Sequence, residues 1–125
     1  MLTDEQIEAA KKTTRYSTPE EPVHEHNDCI RFAYEWLDAQ TKTKGRGKTF
    51  YPVKHLIERW AGRYVSTHDV DVAAHMHPDI HGVYPIFNIS SKLTSPSFDR
   101  ISNLDEAYAH NQGDKHDLGK YSRSE

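Results

Sequence analysis

Residues 52–78 read Pro-Val-Lys-His-Leu-Ile-Glu-Arg-Trp-Ala-Gly-Arg-Tyr-Val-Ser-Thr-His-Asp-Val-Asp-Val-Ala-Ala-His-Met-His-Pro. Pro52 stands where a helix favours its first residue. Val53, Leu56, Ile57 and Trp60 then recur at i, i+3, i+4 and i+7, which predicts one apolar stripe on a helix that Gly62 closes. Ser66-Thr67-His68-Asp69 has capping-box spacing and predicts a second helix through Val70, Ala73, Ala74 and His77, stopped by Pro78. Two short helices joined by about four residues have the spacing of a helix-turn-helix.

Upstream, Asn27 or Asp28 can cap a helix of about Asp28 to Thr41. Its apolar positions Ile30, Phe32, Ala33, Tyr34, Trp36 and Leu37 cover a wide face, suited to a central helix. Trp36 and Trp60 fall on such stripes and are expected in the core. Thr3-Asp4-Glu5-Gln6 can start a short helix. The Pro-containing stretch 13–27 reads as an extended arm. Thr41 to Lys48 forms a loop with two glycines and four cations, and Thr49-Phe50-Tyr51 suits a brief strand. Val83 to Ser90 reads as one strand, pushed to an edge by Pro85, with a turn at 91–94. Ser95-Pro96 can begin a last helix carrying Phe98, Ile101, Leu104 and Tyr108. The expected division is an acidic arm at 1–27, a folded domain at 28–109, and a flexible tail or linker at 110–125.

Apolar residues make up 35% of the 125-residue chain, enough for one modest core. No run approaches the roughly 20 apolar residues of a membrane helix, and the polar start is no secretory signal. The single Cys29 cannot form an internal disulfide, so a reducing, cytoplasmic setting is expected. The net charge of −3 conceals a segregation. Residues 29–64 carry eight Lys/Arg against three acids, whereas the flanking segments carry three against seven and five against nine. A basic block between acidic arms points to a polyanionic partner.

The order helix, short strand, helix, turn, helix, strand, turn, helix over residues 28–104 resembles a winged helix-turn-helix domain. The fold class expected is therefore mainly α with a small antiparallel β-hairpin. The resemblance implies duplex-DNA binding, as in transcription regulators and in replication initiators of phages, plasmids and satellites, and a homodimer. The residues assigned to DNA are Lys42, Lys44, Arg46 and Lys48 on the loop, Lys54, Arg59 and Arg63 along the first helix of the pair, Ser66, Thr67, His68 and His75 on the second, and Lys92 and Thr94 at a wing tip. Helix N-termini add N–H donors at 66 and 67. Asp71 counts against this placement, because a carboxylate repels phosphates; Asp69 is explained as a capping partner.

Two other readings compete. One is a protein-interaction module, such as a phage-type inhibitor or adaptor. The other is a small metal-dependent hydrolase that would draw on His75, His77 and His81, beside Asp79. No HExxH, P-loop, G-x-S-x-G or dinucleotide fingerprint occurs. No cofactor and no catalytic residue are assigned, and Cys29 is expected to be a buried small residue.

Overall fold

The computed structural model describes residues 1–45, 52–110 and 115–125. Among the described residues, four α-helices carry the fold: α1 Asp4–Thr13, α2 Asn27–Asp38, α3 Val53–Ala61 and α4 Thr67–Met76. Two small sheets accompany them. β1 Gly82–Val83 pairs antiparallel with β2 Ile86–Phe87, and β3 Thr94–Ser95 pairs parallel with β4 Arg123–Ser124. The chain is thus mainly α with a small antiparallel hairpin. The expected strand at 49–51 lies outside the described residues.

Each helix start follows from local chemistry. Thr3 and Gln6 close the predicted capping box of α1, and Ser66 and Asp69 close that of α4. α2 is capped instead by His26, whose ring accepts the Asp28 N–H at 2.9 Å. α2 ends at Asp38, three residues short of expectation, because Gln40 leaves the helix to bond both sides of Thr94. α3 ends at Gly62, whose φ of 67° is left-handed. A Cβ there would lie 2.8 Å from the Tyr108 ring.

α4 is the hub. It packs most extensively on α2, and α1 lies against it as well. Val70, Val72 and Ala73 on α4, Phe32 and Trp36 on α2, and Ile57 and Trp60 on α3 are fully buried. Both tryptophans therefore sit in the core as predicted.

Four expectations change. The acidic arm is part of the fold: Ile7 of α1 is fully buried, and residues 17–25 bond to α4. The tail also packs. Tyr121 accepts the Trp36 indole N–H at 3.1 Å, and Glu125 pairs with Arg100. The strand at 83–90 is folded back on itself at Tyr84-Pro85, since proline lacks the donor a continuous strand needs. Gly82, at φ 110°, begins that hairpin and leaves no room for a side chain beside the Ile86 carbonyl. Finally, the last helix is a short 3-10 turn at Phe98–Arg100 followed by further turns. Backbone bonds run three residues back at Ile101, Leu104 and Ala107, so the stripe predicted for an α-helix does not form. Ile101 is buried, but Phe98 is exposed.

Candidate nucleic-acid interface

The basic block divides according to what each cation touches. Arg63 is buried, and its guanidinium meets Glu25 at 2.8 Å, Glu106 at 2.9 Å and the Tyr64 carbonyl. Lys54 pairs with Glu58 at 2.5 Å and stands over the Tyr64 ring. Both were assigned to phosphate contact, and both instead spend their charge inside the protein. A buried, paired cation has little left to offer a phosphate. Lys42 reaches back to the Asp38 carbonyl at 2.6 Å, and burial lowers its pKa although Asp38 and Asp79 oppose that. Lys44 and Lys92 are exposed and Arg59 is half-buried. Arg46 and Lys48 lie outside the described residues.

The expected reading helix is covered. Asp69, Val70, Asp71, Val72, Ala73 and Ala74 of α4 are all buried. The arm lies along α4. His68 accepts the Val23 N–H at 2.8 Å and meets the Thr18 hydroxyl at 3.0 Å. Ser17 gives both its N–H and its hydroxyl to Asp71 Oδ2. The Asp69 carboxylate takes the Ser66 and Glu25 N–H groups and the ring of His24, whose far nitrogen meets the Tyr16 hydroxyl at 2.9 Å. The Ser66 hydroxyl is used by the Asp69 N–H. Thr67 is half-buried, and the exposed His75 meets Thr13 at 3.1 Å. Asp71 therefore faces the arm, which removes the objection that it would confront DNA, and removes α4 as the element that would enter a groove.

Thr94 is likewise no wing tip. It is buried, with its N–H and carbonyl both bonded to the Gln40 amide.

Backbone pairing creates a different grouping. Lys42 bridges to Ile89, with the Thr43 N–H on the Asn88 carbonyl and the Ser90 N–H on the Thr41 carbonyl. The 89–95 segment continues through Lys92 into β3, which pairs with β4 at Thr94–Arg123. Three cation-bearing segments, 42–44, 92 and 120–123, are thereby joined by consecutive backbone pairings. Lys44, Lys92, Lys120 and Arg123 are all exposed. The contribution of Lys120 and Arg123 was missed because nothing in the polar sequence 115–125 announces a strand. Tyr121, its one large aromatic, is the only signal that the segment packs.

The three histidines considered as metal ligands are held apart by their partners. His77 is buried against Asp38 at 2.8 Å and stacks near Tyr34, His75 turns to Thr13, and His81 is exposed. Among the described residues, no group of three or more His, Cys, Asp or Glu is placed to hold a metal ion. No helix among them is long and apolar enough to cross a membrane. Comparison with protein-family models, with curated proteins and with solved structures gives no match for this chain.

Proposed function

We propose that this protein is a duplex-DNA-binding domain whose phosphate-contacting surface is the ladder of segments 42–44, 92 and 120–123, rather than the face of α4. The observation that carries this reading is the Lys42–Ile89 bridge continued by the β3–β4 pairing, which brings exposed cations from three separated stretches onto one framework. Lysine and arginine that displace condensed counterions favour a polyanion whatever its sequence. The succession α3, turn, α4, hairpin agrees with a winged helix-turn-helix order. In this reading the domain belongs to a transcription regulator or replication initiator of a mobile element and binds as a homodimer in the cytoplasm. Sequence discrimination then rests on the loop that begins at Lys42.

Binding of a mixed pool of duplexes, followed by fluorescence anisotropy across a salt series, tests the proposal. The wild-type affinity should fall steeply as salt rises, with a log–log slope of about −0.9 for each phosphate contact. The triple variant Lys44→Glu, Lys92→Glu, Arg123→Glu should lose binding while its circular dichroism is unchanged. Unaltered affinity in a folded triple variant, or no binding by the wild type at low salt, would overturn it.

One observation favours a second reading, a protein-interaction module. The rings of Phe98 and Tyr108 lie 6.1 Å apart, and both are about half exposed, at 45% and 50%. Exposed, adjacent aromatics are typical interface anchors. Under that reading Phe98→Ala would abolish a partner's binding and the triple charge reversal would not.

A further inference from the structure

A cavity of about 330 Å³ opens between the arm at 15–17, the last turns of α4 and the β1–β2 hairpin. Its size falls at the lower end of small-molecule pockets. Tyr84 and Phe87 form an apolar wall, with their rings in a T-shaped contact at 6.3 Å. Tyr16 and His75 supply further ring surface.

Asp71 lines this cavity and is only 7% exposed. Both hydrogen bonds from Ser17 fall on Oδ2. Oδ1 takes no hydrogen bond, and the carboxylate forms no ion pair with lysine or arginine, among the described residues. Oδ1 is not cut off from solvent, and it can accept from a donor that enters the cavity. Arg15, exposed at the same cavity, makes no ion pair among the described residues and offers a bidentate donor to an anion. The site thus presents one open carboxylate oxygen, apolar ring walls and one cation at its edge.

We infer that this cavity binds a nucleoside monophosphate whose base carries an exocyclic amine, with the amine on Asp71 Oδ1, the base between Tyr84 and the opposing ring surface, and the phosphate on Arg15. Amine donors match a carboxylate acceptor, whereas a base showing a carbonyl at that position would set oxygen against oxygen. This inference does not depend on the duplex-binding reading, since the cavity lies on the α4–hairpin side and shares no residue with the 42–44, 92 and 120–123 framework.

The test titrates the full chain with AMP, CMP and UMP, following amide chemical shifts by NMR and affinity by calorimetry. AMP or CMP should bind, with shifts centred on Ala74, Gly82 and Val83, and UMP should bind at least about tenfold more weakly. Asp71→Asn should remove the preference for the amine-bearing nucleotide. Arg15→Ala, a change at an exposed position, should weaken AMP and CMP about equally and leave the corresponding nucleosides unaffected. The inference is overturned if none of the three nucleotides binds. It is equally overturned if UMP binds as well as the others, if the shifts centre elsewhere, or if folded Asp71→Asn and Arg15→Ala proteins bind as the wild type does. Duplex binding by the Lys44, Lys92, Arg123 variant is measured in parallel, so that failure of one site is not read as failure of the other.

Discussion

The Val23 backbone N–H donates to His68 Nδ1 at 2.8 Å, tying an exposed residue of the N-terminal arm to the first turn of α4. A second contact, 3.0 Å between the same ring and the Thr18 hydroxyl, fixes the arm at two points five residues apart. His68→Ala should free this stretch without unfolding the helices. Limited trypsin digestion should then cut at Arg15 several times faster than in the wild type, with a global stability loss of about 1–3 kcal/mol for the two bonds. Equal cleavage rates would show that the His68 contacts do not hold the arm.

Asp71 gives a pH prediction with a definite sign. Burial raises its pKa above the ordinary 3.8, although both Ser17 hydrogen bonds oppose the shift. For a carboxyl raised in the fold, the favourable contribution is present below the unfolded value and is lost as pH rises through the folded one. The charged form therefore costs stability at neutral pH. Asp71→Asn, which can still accept from Ser17, should raise Tm at pH 7, and the gain should shrink as pH falls toward 4. A variant less stable than wild type at pH 7 would refute the sign. If the gain appears together with loss of the preference for amine-bearing nucleotides, the carboxylate is a residue kept for function against stability.

Cys29 should be inert in the folded protein. It is fully buried, and burial pushes its thiol up to about 12. Only the thiolate is nucleophilic. A disulfide reagent at pH 8 should react at the rate of unfolding, and denaturant should make the reaction immediate. Rapid labelling of native protein would contradict this packing.

Tyr121 tests whether the C-terminal segment belongs to the fold. Its hydroxyl accepts the Trp36 indole N–H, and its ring is packed against the core. Tyr121→Ala leaves that buried donor without a partner and should cost about 2–4 kcal/mol in denaturant unfolding. Tyr121→Phe should cost about 1–2 kcal/mol, the donor's share alone. A neutral Tyr121→Ala would return residues 120–125 to the status of a loose tail.

The helices were legible because they are written in local terms. The stripes on α2 and α3 and the boxes at Thr3–Gln6 and Ser66–Asp69 need no knowledge of the rest of the chain. What was not legible depends on long-range pairing. Ser17–Asp71, His24–Asp69 and Arg63–Glu106 join residues 54, 45 and 43 positions apart. Asp71 looks like a surface charge in the sequence because its hydrogen-bond partner, Ser17, lies in a segment that has almost no apolar pattern of its own. Arg63 looks available for the same reason, since Glu25 and Glu106 reach it only after folding, whereas the Lys54–Glu58 pair, four residues apart on one helix, is written in the sequence.

Histidines 26, 68, 77 and 110 each accept a backbone N–H at Nδ1, from Asp28, Val23, Asp79 and Tyr64. A backbone amide only donates, so each of these neutral rings must carry its proton on Nε2. That assignment makes His77 the donor to Asp38 and His68 the donor to Thr18. His24 is the reverse case: its Nδ1–H faces Asp69, and its Nε2 meets the Tyr16 hydroxyl. The fold thus leaves Nδ1 bare in four rings and protonated in His24, and nitrogen chemical shifts of the imidazoles would set the four apart from His24.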